Sequence, residues 1–268
     1  MDRMDRQAIE AKRRRKAIYL LPNLFTTAGL FAGFYAIIAA MGGRYNVAAI
    51  AVVIAMLLDG IDGRVARMTN TQSEFGAQYD SLADLVSFGL APALVMYKWS
   101  LFSMADLGWQ WGKLGWLAAF FYMAMGAMRL ARFNVQVGQM DKRYFYGLAS
   151  PSAATLMVSF IWVCVDLKLP GPSLWLPAFL LTVACGALMV SPILYASFKE
   201  VKRRDRVPFA GILLLVLALI LVAIDPPKVL FIGFLAYALS GPVLMVVRWW
   251  RKRRRGRETG SESGEAAD

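Results

Sequence analysis

The apolar residues of this chain neither alternate with polar ones nor form narrow helical stripes. They run in blocks of about 17 to 25 residues, the length a helix needs to cross the hydrocarbon core of a bilayer. Blocks at about 17–41, 46–67, 81–101, 114–131, 150–167, 173–196, 208–224 and 228–248 predict eight spans. Pro170-Gly171-Pro172 marks the turn between the fifth and sixth, and Asp225-Pro226-Pro227 the turn between the seventh and eighth. The predicted fold class is all-α, a polytopic transmembrane helical bundle of about eight helices.

Composition agrees with lipid as the main solvent: 58% of the 268 residues are hydrophobic and the mean hydropathy is +0.50. The net charge of +12 would suggest nucleic acid in a soluble protein. Here the basic residues cluster beside apolar blocks and lack interleaved aromatic platforms, so no nucleic-acid partner is expected and membrane lipid is. With eight spans and both termini on one side, 25 of the 30 basic residues fall on that side, which the positive-inside rule makes cytoplasmic. A bacterial plasma membrane is the expected location.

The expected organisation is a basic cytoplasmic segment at 1–16, a transmembrane core at 17–200, two additional helices within 201–250, and a tail at 251–268. The first segment ends in Lys12-Arg13-Arg14-Arg15-Lys16 and suits a short helix on the membrane surface. A signal peptide fits less well, because the following apolar run is too long and has no convincing cleavage site. The tail is basic, then from Gly256 rich in Gly, Ser and Glu, and is expected to be disordered.

Histidine is absent, which removes the commonest general base, histidine metal sites and every histidine-dependent nucleophile. Cys164 and Cys185 both lie inside apolar runs and read as small core residues. Acid, base or metal chemistry must therefore come from carboxylates, lysines or tyrosines.

Carboxylates within a span cost at least ~2.5–3.5 kcal/mol each near its centre. Asp59 and Asp62 are three residues apart at the end of the second span, and Asp80 and Asp84 four apart at the start of the third. Each pair shares one helical face, and the short connection makes the helices antiparallel neighbours, so the four acids can converge. Four such groups need cations between them, and without histidine or thiolate these would be Mg²⁺, Mn²⁺ or Ca²⁺. Two ions about 3.5–4 Å apart suit a phosphoryl or pyrophosphate substrate. Gly60, Gly63 and Ala66 leave a groove for a phosphate-bearing ligand, with Arg64 and Arg67 at its mouth.

The run Asp59-Gly60-Ile61-Asp62-Gly63-Arg64-Val65-Ala66-Arg67, with Gly76, Asp80 and Asp84, meets every fixed position of D-x2-D-G-x2-A-R-x8-G-x3-D-x3-D. In this the chain resembles the CDP-alcohol phosphotransferases, which move a phosphatidyl or similar group from a CDP-linked donor to an alcohol and release CMP. The resemblance spans about residues 17–200 and implies a six-helix family core and a homodimer. It is strongest to the serine-accepting branch, through Pro22-Asn23-Leu24-Phe25-Thr26, Asp80-Ser81-Leu82-Ala83-Asp84, Val86-Ser87-Phe88-Gly89-Leu90-Ala91-Pro92, Arg129-Leu130-Ala131-Arg132-Phe133-Asn134 and Ser150-Pro151-Ser152-Ala153-Ala154. One departure is Ala149, where such proteins usually carry proline.

The resemblance implies transfer from CDP-diacylglycerol to L-serine, dependent on two divalent cations. It implies that Asp59, Asp62 and Asp80 hold the metal, and that Asp84 completes the metal site or acts as general base. Asn23, Thr26, Asp62, Gly63, Ala66, Arg67 and Gly76 would contact the CDP donor. A zwitterionic acceptor needs a cation for its carboxylate, and Arg129 and Arg132, three apart on one face, are candidates, with Ser87 and Asn134 beside them. Rival readings are another acceptor (glycerol 3-phosphate, inositol, inositol phosphate or choline) and a cation transporter, although transporters usually hold their acids near the midplane. A phospholipase D-like route through a covalent histidine is excluded.

Overall fold

The computed structural model describes residues 23–68, 73–136, 144–196 and 209–265, with no side chain described beyond Trp250. The basic segment at 1–16, the expected first residues of the first span and the connection at 197–208 lie outside the described residues. Among the described residues, the long helices are α1 (Asn23–Met41), α2 (Tyr45–Met68), α3 (Glu74–Trp99), α4 (Trp109–Gln136), α5 (Ser150–Asp166), α6 (Trp175–Val190), α7 (Phe209–Ile224) and α8 (Pro226–Glu265). Six are long and apolar enough to cross a bilayer, while α5 and α7 have 17 and 16 residues. Large apolar side chains such as Phe31, Leu57 and Leu180 are more than half exposed, which only a lipid solvent makes favourable. The chain is a multi-pass membrane protein.

Several expected boundaries move. α3 starts at Glu74, about two turns before the expected residue 81, and α4 runs from Trp109 to Gln136 rather than 114–131. Apolar content marks only the lipid-facing part of a helix, whereas backbone bonding continues into the polar interface. Ser73 sets the true start of α3, its Oγ accepting the Gly76 amide at 3.0 Å. α8 is helical through Glu265, where disorder was expected from Gly256. An established helix extends without a new nucleation cost, and Arg, Lys and Glu favour it. Two three-residue strands were not expected: β1 (Tyr144–Tyr146) and β2 (Leu194–Ala196), antiparallel with Phe145 opposite Tyr195. They join the α4–α5 and α6–α7 connections at the end of the bundle that carries the acids.

Small residues fill the packed faces of α1 and α2: Ala36, Ala39, Ala48, Ala49 and Ala55 are essentially inaccessible, and a Cβ at Gly29 of α1 would lie within 4 Å of Ala55 and Leu58 of α2. Buried hydroxyls find backbone carbonyls: Ser100 with Gly171 at 2.7 Å and Thr182 with Ala178 at 2.7 Å. Cys164 and Cys185 are buried thiols without a disulfide, as expected.

Two prolines leave a carbonyl without its helical donor, and a tyrosine from elsewhere replaces it each time. Pro92 cannot donate to Phe88, and α3 widens into a π-helical turn at Leu85–Leu90. The buried Tyr122 hydroxyl of α4 donates to the Phe88 carbonyl at 2.9 Å. Pro242 within α8 likewise cannot donate to Ala238, and the Tyr195 hydroxyl of β2 does so at 3.0 Å. Gly241 makes this possible, because a Cβ there would collide with the Tyr195 ring.

Candidate active site

The end of α2 and the start of α3 converge, and the start of α1 meets them through Thr26. Asp59, Asp62 and Asp80 each present a carboxylate oxygen within 4.8 Å of the others. Asp84 lies one turn further into α3 and meets Asp59 side chain to side chain. Thr26 of α1 donates its hydroxyl to Asp62 Oδ2 at 2.9 Å, and Asp62 is only 4% exposed. The shared cleft is also lined by Gly29, Ala55, Ala83, Ser87 and Phe88, and its free volume is about 10 Å³, space for an ion or a water but not for a nucleotide.

The donor set fits a metal. Three oxygen ligands from two rigid helices, with no nitrogen or sulfur among them, match a hard divalent cation, and this acid cluster can bind one.

Of the residues expected to contact a CDP donor, Thr26 and Asp62 line this cleft. Asn23 opens α1 against Gly76 near the start of α3, where a Cβ would come within 3.4 Å of Asn23 Oδ1. Gly63 is half-buried beside Asp62, and a Cβ at Gly60 would meet nothing within 4 Å, so the groove along α2 is open. The side chains of Ala66 and Arg67 lie outside the described residues. Tyr79, which the sequence did not single out, reaches Thr27 at 2.9 Å, and the Thr27 hydroxyl also donates to the Asn23 carbonyl at 2.7 Å. An apolar groove of about 650 Å³ runs along α1 and α2 from Leu24 and Leu58 to Tyr35 and Ile50, starting beside Asp59.

The four acceptor candidates separate. Arg129 is largely enclosed, donates from Nη1 to the buried Ser150 Oγ at 3.0 Å, leaves its buried Nε without a partner, and lies in the electrostatic field of Asp84. Arg132, three residues on, is exposed. Ser87 lines the acid cleft, yet its hydroxyl is committed to the Gly29 carbonyl at 3.2 Å and clamps α3 to α1. Asn134 donates to Ser81 Oγ at 3.0 Å beside a separate groove between α3 and α4, not in the acid cleft. Ser150 was legible as the start of α5, but nothing in the sequence showed that it holds Arg129.

A helical membrane bundle with carboxylates from neighbouring helices gathered at one end, and room beside them for a phosphate-bearing lipid, defines an integral-membrane enzyme of the phosphotransferase class. The model of the CDP-alcohol phosphatidyltransferase family matches residues 19–190, and the chain belongs to that family. Its members depend on divalent cations. A protein of Helicobacter pylori named CDP-diacylglycerol–serine O-phosphatidyltransferase is 38% identical over 87% of this chain and 92% of its own length. Proteins of the same name from Mycobacterium bovis, 31% identical over 89% of this chain and 82% of their own, and Saccharomyces cerevisiae, 36% identical over 54% of each, are also similar.

Proposed function

We propose that this protein transfers a phosphatidyl group from CDP-diacylglycerol to L-serine, giving phosphatidylserine and CMP, at the cytoplasmic face of a bacterial plasma membrane and as a homodimer. The observation that carries this is the Asp59, Asp62 and Asp80 cluster together with a half-buried arginine, Arg129, whose Nε is buried without a hydrogen-bond partner. The names of the relatives point to the same donor and acceptor.

Asp59, Asp62 and Asp80 would hold two divalent cations, Mg²⁺ or Mn²⁺. When bound, these neutralise the pyrophosphate and make its phosphorus more electrophilic. Thr26 and the Gly63 backbone amide hold the Asp62 carboxylate in place. Asn23, Gly63, Ala66, Arg67 and Gly76 form the mouth along which the cytidine diphosphate lies, and the apolar groove of α1 and α2 takes the acyl chains. Asp84 accepts the proton of the serine hydroxyl. The serine oxygen then bonds to the phosphorus that carries diacylglycerol, the bond from that phosphorus to the CMP oxygen breaks, and CMP leaves. Arg129 receives the serine carboxylate.

Purified protein incubated with CDP-diacylglycerol and Mg²⁺ or Mn²⁺ should release CMP when L-serine is added, and not with glycerol 3-phosphate, inositol, inositol phosphate or choline. CMP release with another alcohol and not with serine refutes the acceptor. Metal-dependent CMP release also separates the enzyme from a cation transporter.

A further inference from the structure

α1 is bonded to both helices that carry the acids, and it reaches them through consecutive residues. Thr26 lines the acid cleft and donates to Asp62 of α2, whereas Thr27 lines the apolar groove and meets Tyr79 of α3. The direction of this second bond follows from the partners. The Thr27 hydroxyl has one proton and gives it to the Asn23 carbonyl one turn back, at 2.7 Å. The Tyr79 phenol is therefore the donor and the Thr27 oxygen the acceptor, at 2.9 Å. The Tyr79 ring is held as well: Phe75, one turn earlier on α3, lies nearly parallel to it, with centroids 6.0 Å apart and planes 8° apart. Gly76 lets the helices approach, since a Cβ there would come within 3.4 Å of Asn23 Oδ1. Tyr79 immediately precedes Asp80, so the bond ties α3 to α1 at the level of the cluster. α2 and α3 face each other there through carboxylates, which repel one another when ionised.

We propose that Tyr79 is a positioning residue of the metal site: by donating to Thr27 it closes α3 onto α1, and together with the Thr26–Asp62 bond it keeps Asp80 within reach of Asp59 and Asp62. The role rests on that cluster binding a divalent cation, and it holds for any acceptor alcohol. A cation binds well only to molecules whose ligands already stand at coordinating distance. A looser contact between α1 and α3 lowers the fraction of such molecules and raises the apparent Kd in proportion. Tyr79 acts through Thr27 and the α3 backbone and needs no contact with the ion, the donor or the acceptor.

The test is Mn²⁺ binding to the purified full chain in detergent, read by electron paramagnetic resonance, which does not depend on turnover. Tyr79→Phe keeps the ring against Phe75 and removes only the donor. Its Kd for Mn²⁺ should rise about three- to tenfold, the range that one hydrogen bond between neutral groups supplies. Thr27→Val removes the acceptor and should give the same rise, and the double variant should add nothing to it. Thr27→Ser keeps the hydroxyl and should bind Mn²⁺ as the wild type does. An unchanged Kd in Tyr79→Phe overturns the role, even if Tm falls, because the bond then serves the fold alone. Additive losses in the double variant, or a Thr27→Ser protein as weak as Thr27→Val, overturn it as well. A wild-type protein that binds no Mn²⁺ refutes the metal reading itself, a result separate from any property of the variants.

Discussion

Thr26 and Asp62, 36 residues apart and on different helices, are joined by a 2.9 Å hydrogen bond inside the acid cleft. Asp62 also accepts from the Gly63 backbone amide, so the protein holds this carboxylate from both α1 and α2. Thr26→Val keeps the shape and removes the donor. A buried bond to a charged group contributes about 1.5–3 kcal/mol, so the concentration of Mg²⁺ or Mn²⁺ giving half-maximal CMP release should rise about tenfold or more. A titration of activity against metal reads this, and an unchanged midpoint would show that Asp62 needs no second support.

Asp80 and Asp84 sit one turn apart on α3, yet only Asp80 joins the tight cluster with Asp59 and Asp62. Asp80→Asn should abolish activity at every metal concentration. Asp84→Asn should lower kcat by at least ~10²-fold, the usual contribution of a positioned base, with a metal midpoint close to wild type. Both variants are read from the same metal titration. An Asp84→Asn protein rescued by more metal would make Asp84 a ligand instead of a base.

Arg129 and Arg132 share a helical face in sequence but not an environment: Arg129 is enclosed and held by Ser150, whereas Arg132 faces outward. Arg129→Lys retains charge but loses the planar fork, and it should raise the serine KM by about tenfold or more. Arg132→Ala should change it by less than about threefold, as exposed charges usually do. Steady-state kinetics in serine and in CDP-diacylglycerol separate the two, and equal effects would return both arginines to the acceptor pocket.

Ala149 caps α5 with φ −64° and ψ 136°, a conformation that proline adopts without strain. Ala149→Pro should stabilise the protein by about 0.4–1 kcal/mol, because it restricts the unfolded chain alone. Thermal unfolding in detergent should show a small rise in Tm with the kinetics unaltered. A fall would mean that the turn before Ser150 needs its amide.

The acid site was legible in the sequence because acids spaced by three and four share one face of each helix, and a short connection lets the two faces meet. The bundle was legible because lipid solvation demands long apolar blocks. The acceptor side was not, because burial of Arg129 depends on Ser150 across a connection whose length carries no geometric information. The strands around Phe145 and Tyr195 are too short to show a period of two. The start of α3 at Glu74 was hidden because hydropathy reports solvent and not hydrogen bonding. Tyr122 and Tyr195 could have been sought, since each proline inside a span announces a carbonyl that needs a donor, but the donor's identity is purely tertiary.

The π-helical turn at Leu85–Leu90 holds one more residue than a regular helix of the same rise. It absorbs that residue locally, so the Asp80–Asp84 face and the Lys98–Ser100 end keep the relative phase of a shorter, uninterrupted helix. Single-residue deletions anywhere else in α3 would rotate one end against the other by about 100° and separate the acids from the far contact of Ser100 with Gly171. Within this turn alone, the helix has a spare residue, and the length of α3 can change there by one step while both ends stay aligned.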